Sequence, residues 1–161
     1  MTRKNTRRNT RKNKKYQYSI IEECRGIPPK YYRGLDIKDK IQQCKDIKKS
    51  QKLYPKHKYY PRRHLKSFKS KPSRHVVEFK KKYGINLDDL EKIEEVTGVP
   101  VKASKEVIKR GMGAYFSGSR PNQNVYSWGR ARLASFILKH NAYKRDYDIW
   151  KKYNIDKTYK S

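Results

Sequence analysis

The sequence predicts a mostly α-helical protein, a small helical domain carrying a long basic, extended N-terminal tail and arm. Three observations predict it. Apolar residues recur at helical spacing between residues 36 and 53 and again beyond residue 73. Asp, Asn and Gly stand where such helices would begin and end. Before and between these segments lie cationic stretches that contain no acid. The 161 residues hold 43 Lys and Arg against 15 Asp and Glu, a net charge of +28, and only 34% are hydrophobic. Such a chain repels itself unless a partner of opposite sign meets it, either nucleic acid or an acidic protein surface. The length allows one modest core with tails and leaves no room for a second. Fourteen Tyr, four Phe and two Trp exceed what a wholly disordered chain carries.

Residues 1–34 read as a basic tail and an extended arm. Met1 to Lys15 holds eight cations (Arg3, Lys4, Arg7, Arg8, Arg11, Lys12, Lys14 and Lys15) and no acid, so it is expected to stay unstructured until a partner orders it. It lacks the apolar stretch of a secretory signal. Pro28 and Pro29 favour extended backbone, with Tyr31 and Tyr32 as flat anchors. Cys24 and Cys44 lie in different segments without a His at ligand spacing, and they read as reduced thiols.

Residues 35–72 read as a helix followed by an arm rich in Lys, Tyr and Pro. Ile37, Ile41, Cys44 and Ile47 share a helical face, and Asp36 can cap a helix that runs to Leu53. From Lys48 to Val77 there are eleven cations and no acid, interleaved with Tyr54, Tyr59, Tyr60 and Phe68 and broken by Pro55, Pro61 and Pro72. Cations alternating with rings suit single-stranded nucleic acid, because bases stack on the rings while the cations follow phosphate. They suit equally an extended arm whose tyrosines pack on neighbours.

Residues 73–161 carry most of the core pattern. A helix through Val76, Phe79 and Tyr83 ends at Gly84, and another runs from Leu87 to Thr97 with Asn86 as its cap and Gly98 beyond it. Asp88, Asp89, Glu91, Glu94 and Glu95 fall on the outer face of that helix and read as a solvated or internally paired face rather than as general acid and base chemistry. Leu90 to Gly111 forms helix, tight turn and helix; a DNA-reading version would set Lys102, Lys105, Lys109 and Arg110 against a groove or phosphates. Gly111 to Gln123 reads as a glycine-rich loop. Such a loop near a helix start can cradle phosphate through backbone N–H groups, but it lacks the Gly, Lys, Ser or Thr order of a P-loop, and the favoured reading is that its glycines serve tight backbone and close packing. A helix over about 124–140 then presents Val125, Trp128, Leu133, Phe136 and Ile137 to the core, with Ala131 and Ala134 allowing a close neighbour. Tyr147, Ile149, Trp150 and Tyr153 form a last aromatic patch that docks on the domain or a partner.

No catalytic constellation is expected, and no cofactor. If chemistry occurred, Ser119 and Arg120 in the loop would be the first residues to consider. His57, His64, His75 and His140 are scattered away from ligand spacing, so no metal site is expected. No apolar run approaches the roughly 20 residues of a membrane span. The residues expected to meet nucleic acid or an acidic partner are Arg3, Lys4, Arg7, Arg8, Arg11, Lys12, Lys48, Lys49, Lys52, Arg62, Arg63, Lys66, Lys69, Lys71, Arg74, Lys109, Arg110 and Arg120.

The run YYRGLDIKDKIQQCKDIKKSQKLY, then KYYPRRHLKSFKSKPSRHV, then KRGMGAYFSGSRPNQNVYSWGRARLASFI resembles an uncharacterised basic protein family of large nucleocytoplasmic DNA viruses, with related segments in some tailed phages. The resemblance spans about Tyr31 to Tyr147 and is most specific in GSRPNQ and SWGRARLAS. It carries over no catalytic residue. What it implies is a virion protein, present in host cytoplasm or nucleus during assembly. Two roles then follow from the charge: a minor capsid component whose basic arms staple other capsid proteins inside the shell, or a protein that coats or condenses the genome through phosphate contacts to DNA or RNA. A ribosomal-type RNA binder is the third class.

Overall fold

The computed structural model describes the backbone from Arg3 to Ser161 and the side chains from Asn13 onward. The mostly helical class is observed. Among the described residues the elements are α1 (Arg3–Glu23), α2 (Ile37–Leu53), α3 (Arg74–Tyr83), α4 (Leu90–Thr97), α5 (Val101–Ser117), α6 (Val125–Ile137), α7 (Asn141–Arg145) and α8 (Tyr147–Lys152), with no strand. No helix among them is long and apolar enough to cross a membrane. The chain divides into two compact units. Unit 1 is Met1–Ser70 with Phe116–Asn122, and unit 2 is Lys71–Tyr115 with Gln123–Ser161.

Unit 1 departs from the expected extended tail, because residues 3–23 are helical. Electrostatics oppose this helix, with cations throughout its first turns and Glu22 and Glu23 in its last, the reverse of what the helix dipole favours. Packing holds its C-terminal end instead. Ile20 lies against a small cluster of Cys24, Ile27, Cys44 and Ile47, joined by Tyr31 and Tyr32, and Lys48 Nζ donates to the orphan carbonyl of Glu22 at 3.0 Å. Residues Pro29–Tyr31 form a 3-10 turn in place of continuous extended backbone.

The two cysteines are not separate thiols: Cys24 and Cys44 are joined in a disulfide, their Cα atoms 5.1 Å apart. This covalent link explains how a second, small core exists where the length alone left no room for one, since a cross-link reduces the apolar area a small unit needs. Replacing both cysteines by Ser, or reducing the bond, is expected to cost unit 1 about 3 kcal/mol, the closure entropy of a loop of this length. Urea denaturation followed by helical circular dichroism with and without reductant measures this. A change below about 1 kcal/mol would remove the bond from the account of unit 1.

Beyond α2 and a 3-10 turn at Tyr54–Lys56, residues 58–72 contain no helix. A chain without regular structure must find other partners for its backbone, and here side chains supply them. The Arg63 amide donates to Asp46 at 3.2 Å and the Ser67 amide to Asp39 at 2.9 Å. Asn122 closes a reciprocal pair on Leu65, accepting from its amide at 2.8 Å and donating to its carbonyl at 2.9 Å, and it also reaches the Phe68 carbonyl. Leu65 is thereby buried. The arm lies fastened along unit 1.

Unit 2 holds the main core: Phe79, Ile93, Val99, Val107, Leu133, Phe136, Ile137, Ile149, Trp150 and Ile155 all lose their solvent contact. Helix ends follow local chemistry. Gly84 closes α3 and Gly98 closes α4, both at positive φ. The residue capping α4 is Asp89, which accepts from the Lys92 amide, and not Asn86, whose side chain instead accepts from Asp88. Asn124 and Ser127 form a reciprocal capping box at the start of α6. The expected loop from Gly111 is half helix, because α5 continues to Ser117. Gly111 serves a helix crossing: a Cβ there would stand 2.8 Å from the Cα of Gly129 on α6. Close approach to α5 thus falls to Gly129, while Ala134 is fully buried in the core of the unit. The aromatic patch near the C-terminus docks within the unit, with Trp150 between Phe136 and Tyr143 at ring distances of 5.4 and 4.8 Å.

Candidate functional site

Charge divides unevenly between the units. Unit 1 carries 24 Lys and Arg against five Asp and Glu, and unit 2 carries 19 against ten. What matters for a partner is where the acids go. In unit 1 all three aspartates are engaged by neutral donors of the fold. Asp36 caps α2 through the Asp39 amide. Asp39 accepts from both the Ser67 amide and its hydroxyl, and those bonds hold its carboxyl below the ordinary range. Asp46, buried, accepts from Gln42, Tyr60 and the Arg63 amide. Only Glu23 forms an ion pair among the described residues of this unit, with Lys45 at 3.6 Å.

The lysines of α2 therefore keep their charge facing solvent. Gln43, Cys44, Asp46, Ile47 and Ser50 form its inward side, while Lys38, Lys45, Lys49 and Lys52 fall at intervals of seven, four and three on the outer one and are exposed. Lys48 is half-buried and spent on the Glu22 carbonyl. Lys49 Nζ stands 4.5 Å from the Tyr60 ring centre, a cation–π contact that leaves the charge in place. Along the arm Lys56, Lys58, Arg63, Lys66 and Lys69 are exposed, as is Arg120 in the loop.

Arg62 is a different case. Its guanidinium reaches the Ser119 hydroxyl at 2.5 Å, the Ser50 hydroxyl at 3.3 Å and the Phe116 carbonyl at 3.3 Å. With Gln43, which donates to the carbonyls of Tyr31 and Ser119, it fastens the loop. Arg62 is therefore a fastening residue and not one that faces a partner. Ser119 is buried by the same contacts, which removes it as an accessible nucleophile. Gly118 has a packing reason as well: a Cβ there would meet the Tyr31 ring at 2.6 Å.

In unit 2 the arginines of α5 and α6 pair internally. Arg132 grips buried Asp146 with two bonds, 2.7 and 2.8 Å. Arg110 joins it at 3.2 Å and also holds Asp148, whose carboxyl that guanidinium pulls down to about 2. Arg110 thus leaves the set of residues expected to meet a partner. Arg130 pairs with Asp88 and Lys152 with Glu106. Most of the acidic run of α4 is likewise engaged, in capping by Asp89, in a bond from the Val101 amide to Glu94, and in the Glu95 pair with Lys92. Lys71, Arg74 and Lys109 are exposed in this unit. His75 and His140 touch through their Nδ1 atoms at 3.0 Å; burial first, then the neighbouring His140, holds His75 below its ordinary value. No cluster of three metal-ligating side chains occurs among the described residues. Arg3, Lys4, Arg7, Arg8, Arg11 and Lys12 have their side chains outside the described residues.

A family model matches residues 28–154, which includes α2, the arm and the helices of unit 2 through α8. The chain belongs to DUF5824, a family of unknown function. Neither a curated protein nor a solved structure matches it. The DUF5824 segment begins after α1 and Cys24, so it takes in one half of the disulfide and leaves out the other.

Sequence reasoning missed Asp46, Asn122, Asp146 and the disulfide. One signal was present: Asp36, Asp39 and Asp46 are spaced at three and seven within a lysine-rich helix, so they share a face, and an acid repeated on one face of a basic helix is a candidate fastening point.

Proposed function

We propose that this DUF5824 chain is a non-enzymatic structural protein of a virion that binds nucleic acid through the lysine face of unit 1. One observation carries the reading: in unit 1 the three aspartates are held by amide and hydroxyl donors and Glu23 pairs with Lys45, so Lys38, Lys49 and Lys52 on α2 and Lys56, Lys58, Lys66 and Lys69 of the arm have no acidic partner among the described residues. Phosphates supply the missing negative charge, and their condensed counterions leave as they are neutralised. The virion setting rests on the sequence resemblance. Of its two roles, the geometry favours genome binding over stapling, because the arm that would reach a neighbouring subunit is fastened to its own unit by Asp39, Asp46 and Asn122.

Binding to a duplex oligonucleotide is expected to weaken linearly on a log–log salt plot, with a slope near 0.9 for each phosphate contacted. Changing Lys38, Lys49 and Lys52 together to Gln is expected to lower that slope by about three. Absence of binding at low salt, or a triple variant with the parent slope, would overturn the assignment. Recovery with nuclease-treated capsid shells and not with the core would assign the stapling role instead.

A further inference from the structure

Three aromatic rings of unit 1 form a pile that the fold leaves open to solvent. Phe116, buried, is the floor. Tyr54 stacks on it at 4.7 Å with planes 12° apart, and Tyr59 lies against it at 5.1 Å. The tyrosines are not hidden by this: Tyr59 is 68% exposed and Tyr54 is 39% exposed. Among the described residues neither phenol hydroxyl has a hydrogen-bond partner, so no polar contact accounts for their positions. The backbone between them is tightly constrained. Pro55 sits inside the 3-10 turn Tyr54–Lys56, and His57 follows in the left-handed region at φ 54°. Rings held by a short constrained turn are already arranged before a ligand arrives, which reduces the ordering entropy lost on binding.

Charge surrounds the pile. Lys52, Lys56 and Lys58 are exposed on the same seven residues, and no acid occurs between Asp46 and Glu78. An apolar partner would have to strip water from these ammonium groups without compensation. A ligand with flat faces joined by phosphates meets both needs at once, with bases on the rings and phosphates on the cations. Duplex cannot do so, because its bases are stacked on each other and present only their edges.

We propose that Tyr54 and Tyr59, stacked about Phe116, form a base-stacking platform that makes unit 1 a binder of single-stranded nucleic acid. This rests on the nucleic-acid reading above and adds strandedness to it. The experiment measures fluorescence anisotropy of labelled 20-nucleotide oligo(dT), oligo(U) and a duplex of equal length, at one fixed salt concentration, with the full-length chain. The single strands are expected to bind more tightly than the duplex. Tyr59→Ala is expected to weaken single-strand binding on the order of tenfold, to leave duplex binding unchanged, and to leave the single-strand salt slope unaltered, because stacking releases no counterions. Tyr59→Trp retains the face and is expected to restore the affinity, with its indole emission quenched by bound bases. Because Tyr59 is exposed, the helical circular dichroism of both variants should match the parent. Equal losses for single strand and duplex, or none for either, would overturn the platform while leaving phosphate binding through the lysine face intact. Failure of all three oligonucleotides to bind would overturn both readings together.

Discussion

Asp146→Ala is expected to destabilise unit 2 by roughly 3–5 kcal/mol, the cost of leaving a buried ion pair with one partner. Asp146 is 1% exposed and accepts two bonds from Arg132 and one from Arg110. Arg132 is itself mostly buried, so its charge has little water to turn to once the carboxylate is gone. A loss of this size is a large share of the 5–15 kcal/mol that typically holds a domain together. Asp146→Asn keeps the shape and one acceptor oxygen, and its loss should be smaller. Arg130→Ala provides the contrast, because its pair with Asp88 is solvent-exposed on both sides; such pairs contribute about 0–1 kcal/mol. Both tryptophans, Trp128 and Trp150, belong to unit 2, so denaturant titration read by tryptophan emission reports on this unit. A loss for Asp146→Ala no larger than that of Arg130→Ala would refute the buried cluster as a stabilising centre.

Gly98→Ala is the second large effect. Gly98 has φ +71°, which alone costs an L-residue roughly 1–2 kcal/mol. The decisive term is steric: a Cβ built there would stand 1.7 Å from the carbonyl oxygen of Thr158 and 2.4 Å from its carbon. Those are backbone atoms, so no side chain can rotate away. The segment that must leave is the one tied down by the Lys160 amide on the Thr97 carbonyl, the Thr158 hydroxyl on the Gly98 carbonyl and the Tyr159 hydroxyl on the Ile137 carbonyl. With it goes the Tyr159 ring that packs on Trp150 at 5.0 Å. Gly84→Ala isolates the backbone cost, since Gly84 has φ +67° and open space around it. The expected result is a red-shifted Trp150 emission and a loss for Gly98→Ala clearly larger than for Gly84→Ala. Deleting residues 158–161 should then cost the Gly98→Ala variant little more, a non-additivity that marks the two sites as coupled. Equal losses at the two glycines would refute the contact.

Much of the helical framework was legible because it is written locally. Asp36 before Ile37, Gly84 after Tyr83, Gly98 after Thr97 and Asn124 before Val125 each act within four residues of the group they satisfy. Where local signals conflicted, the sequence misled. Asn86 and Asp89 both suit a cap; the Asn86 side chain is taken by the Asp88 amide and Asp89 caps the helix through the Lys92 amide. The glycines at 111 and 113 suggested a loop, yet a helix tolerates them when a neighbouring backbone, here Gly129, comes close enough to reward the missing Cβ.

The candidate site was legible as a composition and not as a surface. The sequence by itself determined the net charge of +28, the acid-free run from Lys48 to Val77, and the aromatics set among its cations. Only the tertiary structure decided which charges remain available. Arg62 and Ser119 are 57 residues apart, Arg110 and Asp148 are 38 apart, Asn122 reaches back to Leu65, and Cys24 reaches Cys44. Such pairs leave no periodic or local mark on the chain, because their energy depends on a distance that exists only after folding. They separate the arginines that hold the protein together from the lysines that face outward.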